Sequence, residues 1–396
     1  AVPIIKSFQS AEEAMVPKNT EAEVRKYVED ELDQLVSDLN DAPSETGRIA
    51  KGAGYALRMR EALYNEQWAV AKDRAEKIIA LGQYDLDPSY SNIFSLAGQG
   101  SKEIILAVQH ITGTKYNDVI GRMYSNGDGG WSSIMPTWNL VDAYEMANGK
   151  TIDDPTSGYD ATHPFNNRDP RMGMTICYPG CDYINGQGKQ AIFNTLDEKI
   201  NGVKNSNYKD SKNNTAPTGL IWGKYLAPQS QYSDIWNTAC SPIVFRYAEV
   251  LLTWCEAANE LDGPSEQIYT YLNKIRNRVG MPDVDKAKYN TKETLRELIH
   301  RERSVELAGE GLRRSDILRW KTADGKMLAE KVLNQVLLSR EGTVNMDASV
   351  APGMRATFNG KTTEIETRVF KTHNRYLPIP QGALDANKAL TPSEGY

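Results

Sequence analysis

The run LRELIHRERSVELAGEGLRRSDILRW (295–320) decides the fold, read together with the two runs ahead of it, FRYAEVLLTWCEAANEL (245–261) and IYTYLNKIRNRVGMP (268–282). In the first of these, Val244, Ala248, Leu251, Leu252, Cys255 and Ala258 recur at helical spacing and predict a helix with one buried stripe. Ala257 and Ala258 are small enough for a neighbouring helix to come close. Leu261-Asp262-Gly263-Pro264 ends it, with glycine just past one helix and proline near the start of the next. The second helix is expected to stop near Gly280, ahead of Pro282. A third begins after Thr291, a side chain suited to cap it, and turns Leu295, Leu298 and Ile299 inward. The pattern is one of paired antiparallel helices joined by short turns.

Continuing the stripe of the third helix places Glu302 and Glu306 on the buried face, with Glu310 one turn further on. A buried carboxylate is costly unless a cation meets it, and Arg276, Arg278, Arg301, Arg303, Arg313, Arg314 and Arg319 lie on this helix or its neighbours. Two acids one turn apart, at about 6 Å, also suit the acid/base pair of a glycoside hydrolase. Guanidinium neighbours lower a carboxyl pKa, however, whereas a general acid needs it raised. Structural ion pairing is the stronger reading, and hydrolysis by Glu302 and Glu306 is the alternative.

Several of these runs carry a resemblance. Arg301-Glu302-Arg303, Glu306-Leu307-Ala308, Glu310-Gly311, Arg313, Asp316-Ile317 and Arg319-Trp320 resemble the signature of the SusD/RagB family. So do Arg246-Tyr247-Ala248-Glu249-Val250-Leu251-Leu252 and Leu272-Asn273 with Ile275-Arg276, Arg278 and Gly280. Pro136–Lys150, Asn167-Arg168-Asp169-Pro170-Arg171 and Tyr376-Leu377-Pro378-Ile379-Pro380 follow in family order. The likeness covers roughly residues 12–160 and 245–320 plus the tail, and is weakest over 175–240. It implies a mostly α, SusD-like fold in which tetratricopeptide-type helix pairs support an irregular, loop-rich ligand-binding region. It also implies a Bacteroidetes cell-surface lipoprotein of the outer membrane that captures a nutrient, mostly a glycan, without catalysis. The oligosaccharide would be handed to a SusC-like TonB-dependent transporter, which the helix pairs would face. Capture of a peptide, as other family members do, is the alternative within the family. The lipid anchor and a substantial N-terminal portion are expected to lie outside this chain, which is read as a single SusD-like domain over 1–396.

Outward from the deciding run, Thr20 heads an amphipathic helix with Val24, Val28, Leu32, Leu35, Val36 and Leu39 on one face. Ala53, Ala56, Leu57 and Leu63 mark a further helix, which a turn at Asn65-Glu66 joins to the next. In that next helix Trp68, Ala71, Ala75 and Ile78 form the large-small-large-small ridge of a tetratricopeptide repeat. Ile268, Tyr271 and Ile275 repeat the ridge later until Arg278 breaks it. Repeat-like segments are thus expected at 20–82 and 244–320, with a short strand within Ser101–Gln109. Between them, 111–243 is an insertion rich in Gly, Asn, Asp, Ser and Pro that holds Trp131, Trp138, Trp222 and Trp236. Such an insertion in a repeat scaffold is a natural place for binding. Within it, Arg168, Asp169 and Arg171 are expected to tie loops by paired charge.

A sugar packs its C–H face on an aromatic ring while neighbouring polar groups take its hydroxyls. The loop YSNGDGGWSS (124–133) gathers Tyr124, Asn126, Asp128 and Trp131, and Tyr183, Trp222 and Trp236 complete the candidate set. Trp138 and Trp254 sit among apolar helical neighbours and are read as core. Asn126 and Asp128 lack the spacing of an EF-hand, and no zinc pattern, nucleophile elbow or phosphate loop is present, so neither metal nor cofactor is expected. Cys177 and Cys181 are compatible with a small disulfide loop or with free thiols. A net charge of −6 argues against nucleic acid, and no run of about 18 apolar residues could span a membrane.

Overall fold

The computed structural model describes residues 1–210 and 214–396, and their architecture is mostly helical. The first helix, Glu21–Asp38, begins where Thr20 accepts from the Glu23 amide and the Glu23 carboxylate accepts from the Thr20 amide. Its stripe is only half used. Leu32 and Val36 are buried, but Val28 and Leu35 remain 37% and 47% exposed. The reason is the partner: this helix rests on Lys51–Tyr64, where the small Gly54 receives Val36 and Leu39 and little else reaches across.

Lys51–Tyr64 and Trp68–Ala80 form an antiparallel pair whose turn puts Glu66 at φ +57°, close to the sequence expectation of a turn at Asn65-Glu66. Ala71, Ala75 and Ile78 are fully buried, and their helix packs directly on Tyr247–Asp262. The two helix pairs therefore stack although the long insertion separates them in sequence. Tyr247–Asp262 ends at Gly263 (φ +78°), and Glu266–Asn277 stops just short of Gly280 (φ +80°), the left-handed exits that glycine takes without strain. Lys292–Glu306 starts where the Thr291 side chain accepts from the Thr294 amide. Leu251, Leu252, Cys255, Ile268, Leu272, Ile275, Leu295 and Ile299 close the core between these helices.

The expected strand is Ile104–Ala107. It pairs antiparallel with Ile243–Arg246, matching Ile104 to Arg246 and Ala107 to Ile243. This ladder is the neck of the insertion: the chain leaves the helical body through one strand and re-enters through the other. Beyond the neck, Trp138 and Phe165 stack at 5.5 Å and Phe165 on Tyr178 at 4.3 Å, so Trp138 is core as expected.

Two features depart from the sequence reading. Residues 321–375, which carry no clear pattern, contain the hairpin Val336–Val344 with Ala356–Thr367, the longest ladder among the described residues. Register shifts break its alternation, which hides it in the sequence, and its Phe358 plugs the insertion core beside Trp138. The alternating prolines of the C-terminal run favour an extended strip; the run is extended over Tyr376–Pro380 but then turns into a short helix, Gln381–Ala386, which Pro380 immediately precedes. It lies on the N-terminal segment, with Tyr376 Oη donating to Glu21 at 2.6 Å and Lys18 Nζ to the Pro392 carbonyl at 3.0 Å. No helix among the described residues is long and apolar enough to cross a membrane.

Candidate functional site

The carboxylates of the deciding run sit in a closed knot of charge. Glu306 accepts from Arg171 at 3.0 Å, from Arg246 at 2.8 Å and from Arg278. Glu302 accepts from Arg276 at 3.1 Å and from Arg171. Glu310 holds Arg246 and, at 2.9 Å, the Lys224 ammonium. Glu103, Glu145 and Asp169 close the set by binding Arg246, Arg276 and Arg171 respectively, and Arg301 adds a second guanidinium to Glu145. Six acids thus face five arginines and one lysine, all but Arg301 almost fully buried. Burial alone would raise the Glu302, Glu306 and Glu310 carboxyls, but the guanidiniums outweigh it and hold all three below the ordinary range. A general acid needs the opposite. The structure places Glu302 and Glu306 in this knot, where neither lines the two cavities described below and their environment opposes the raised pKa of a general acid.

Sequence reasoning found the acids and only part of their partners. Arg276, Arg278 and Arg301 belong to the knot, whereas Arg303 and Arg319 serve Glu256 and Asp316 in a neighbouring cluster. Arg171, expected to tie loops together, does so by reaching from the insertion into the helical body. Glu103 and Glu145 were not foreseen, because nothing local marks which exposed-looking acid will meet a guanidinium far along the chain.

A cavity of about 440 Å³ opens on the insertion side. It lies between the ladder Asp182–Ile184 with Gln190–Ile192 and the pair Ile176–Cys177 with Ile221–Trp222. Of the seven candidate residues, Tyr124, Asp128, Tyr183 and Trp222 line it. Tyr124 is almost wholly buried and donates its hydroxyl to the Leu226 carbonyl, so it forms floor rather than open platform. Asp128 accepts from the Gly186 amide at 2.9 Å and thereby ties its loop to the neighbouring turn. Burial, with the Asp128 carboxylate next, raises the Tyr183 phenol well above its ordinary pKa, so it stays a neutral hydroxyl. Trp222 is half-buried with its ring against Gly309 (φ +76°), where an added Cβ would come within 3.0 Å of it.

Three candidates lie outside this lining. Trp131, 46% exposed, tilts on Trp236 with ring centroids 4.7 Å apart, and the Arg122 guanidinium stands over it. The Trp236 ring covers Gly121, a position that only a missing side chain allows. Asn126 donates to the Ser206 carbonyl at 3.3 Å.

Residues the sequence did not point to complete the cavity. Asp182 lies beside Tyr183 and accepts from Arg355 at 2.7 Å. Gln229 donates to the Asp128 carbonyl at 3.1 Å, while its own Oε1 and the Trp222 Nε1 are buried with no hydrogen-bond partner among the described residues. Cys177 and Cys181 also line the cavity as free thiols, their sulfurs 3.2 Å apart. Among the described residues, the lining therefore has two carboxylates, two residues with an unpaired buried polar atom, and no basic side chain. No group of three or more potential metal-ligating side chains gathers among the described residues.

Comparison with known proteins places this geometry. The SusD family profile matches residues 102–396. A SusD-like protein of Formosa agariphila is 26% identical over 311 residues, which cover 73% of this chain and 55% of that protein. The chain thus spans about half the length of that curated relative. Among solved structures, a SusD-like carbohydrate-binding protein of Bacteroides fragilis superposes with a TM-score of 0.81 at 26% identity, over 98% of this chain and 75% of that one. A second SusD-like protein of the same species gives 0.79 at 25% identity, over 100% and 75%.

Proposed function

The chain belongs to the SusD family, and from that premise we propose that it captures a glycan at the cleft lined by Tyr183 and Trp222, as a single folded unit and without covalent chemistry. The sugar lays a C–H face on the aromatic wall. One hydroxyl donates to Gln229 Oε1 and another oxygen accepts from Trp222 Nε1, with Asp128 and Asp182 close by. The captured oligosaccharide is then passed to a TonB-dependent transporter of the outer membrane, at the cell surface where a lipid anchor would hold the protein.

The observation that carries this reading is the pair of unpaired polar atoms beside an aromatic wall. Burying such a group without a partner costs about 1–3 kcal/mol, and native folds leave few of them. A polyhydroxylated ligand supplies what both atoms lack. The name of the Bacteroides fragilis neighbour, a carbohydrate-binding protein, points the same way. The knot at Glu306 supports a role free of hydrolysis, since the paired carboxylates nearest in type to a glycosidase dyad are bound to arginines.

Isothermal titration against a panel of neutral oligosaccharides, with product analysis in parallel, tests the reading. Binding without turnover is expected, and Trp222→Ala should weaken it by tenfold or more, about the worth of one aromatic anchor. Turnover would overturn the non-catalytic part. Binding to peptides but to no sugar would move the ligand class.

A further inference from the structure

Trp222 also lines another cavity, of about 540 Å³, walled by Met135, Leu140, Ile317, Val332 and Leu333. Its charge is opposite to that of the first. Arg313, Arg314 and Arg368 line it, and among the described residues no acidic side chain does.

Two of these arginines differ from others on the same short helix and its neighbours. Arg303 and Arg319 are bound to Glu256 and Asp316. Arg313 and Arg314 form no ion pair among the described residues. Arg313 donates to Ser304 Oγ at 2.6 Å and stands over the Trp320 ring; Arg314 donates to the Asn374 carbonyl at 3.0 Å. Arg368 is paired with the exposed Glu366. Arg313 and Arg314 are both exposed, whereas Arg303 and Arg319 are buried. A guanidinium offers a planar fork of donors that fits a carboxylate or a sulfate. Two such forks with no ion-pair partner among the described residues, beside an apolar slot that an indole helps to line, suit an anion carried on a ring.

We propose that this cavity is a second subsite that takes an acidic sugar, its carboxylate or sulfate on Arg313 and Arg314 and its ring along Trp222 and the apolar wall. The proposal rests on glycan capture as the function, and it makes Trp222 the shared partition between a subsite for neutral residues and one for acidic residues. The ligand class then narrows to glycans that carry both.

The test compares matched oligosaccharides of one backbone, unmodified, uronate-bearing and sulfate-bearing, titrated into the protein at low and high salt. The acidic forms should bind about tenfold more tightly than the neutral one, the value of one charged hydrogen-bonding contact. That advantage should shrink as salt rises. Whether uronate or sulfate gains more identifies the anion. In Arg313→Gln the ratio of acidic to neutral affinity should fall towards one, and Arg314→Gln, likewise on an exposed residue, gives a second, independent readout. Neutral binding with no acidic preference would overturn the subsite and leave glycan capture standing. Failure of every sugar to bind would overturn both.

Discussion

The knot at Glu306 and the cleft at Trp222 are built from similar material and treat it in opposite ways. Both collect charged and polar side chains from distant parts of the chain. In the knot every carboxylate is met by a cation, several by two or three, and the whole is shut away from solvent. In the cleft a buried amide oxygen and an indole N–H have no partner, and the lining is open. Satisfaction of polar groups, more than their presence, separates what holds this molecule together from what it can bind. A dense cluster of acids and arginines attracts the eye as a site, yet its carboxylates are already met by cations; the Arg278 Nε is a buried donor there with no hydrogen-bond partner among the described residues.

The sharpest way to break that contrast is to open the knot. Glu306→Ala leaves Arg171, Arg246 and Arg278 around an empty position, and removing one partner of a buried ionic network costs about 3–5 kcal/mol. Urea denaturation should show a loss of that size, or no folded protein at all. A loss below 1 kcal/mol would mean that the knot does not hold the insertion to the body as its geometry suggests.

Acid offers a gentler opening of the same knot. Glu302, Glu306 and Glu310 have folded pKa values below their ordinary value of 4.5. Their contribution to stability is therefore complete above 4.5 and lost as pH falls through the folded values. Stability measured against pH should hold level down to about 5 and then decline. Glu310→Gln, at the edge of the network, should flatten the acid limb. A decline that begins near neutrality would assign the pH dependence to other groups.

Next in size is an effect that reads the cleft through its backing. Gly309 and Gly311 both have positive φ, so alanine at either costs about 1–2 kcal/mol in backbone strain. Only at 309 does the new Cβ meet the Trp222 ring; at 311 nothing lies within 4 Å. The two variants should thus lose similar stability by thermal melting, while oligosaccharide binding weakens more in Gly309→Ala. Equal binding in both would detach Trp222 from the site.

The same contrast explains what was legible in the sequence. Helices, their caps and the stacked ridges follow from spacing within short windows, so Thr20, Thr291, Gly263 and the ridge Ala71, Ala75, Ile78 could be read directly. The family runs were equally local. The buried face carrying Glu302 and Glu306 was legible too, because a carboxylate on an apolar stripe announces a partner. The identity of that partner was not: Arg171 reaches the knot from the short helix Pro170–Thr175 of the insertion, and Glu103 from the turn just ahead of the neck strand Ile104–Ala107. The cleft is the extreme case. Gln229, Asp182 and the free thiols converge through an irregular insertion with no periodicity to follow, and only the aromatic richness of 111–243 hinted that a surface was being assembled. The hairpin at 336–367 went unseen because its bulges interrupt the alternation that would have shown it.

The smallest expected effect concerns Trp131, one of the aromatic candidates read from the sequence. Trp131 stands in a glycine-rich loop with polar neighbours, which on paper is the better sugar platform. In the structure its ring leans on Trp236 outside the lining of the cleft, and nearly half of it is exposed. Removing it should cost only the pairing of the two rings and a modest area, about 1 kcal/mol. Trp131→Ala should accordingly melt close to the parent protein and keep its affinity for oligosaccharide, while Trp222→Ala loses it. The reverse pattern would be more instructive than a failure of both: it would place the binding surface on the exposed Trp131–Trp236 pair and make the unpaired atoms behind Trp222 a matter of internal packing. An exposed platform and an enclosed cleft differ in one measurable respect. The cleft discriminates among sugars by the hydroxyls that reach Gln229 and Trp222, and a platform of stacked rings does so far less, so a panel that binds with little preference would favour the rings.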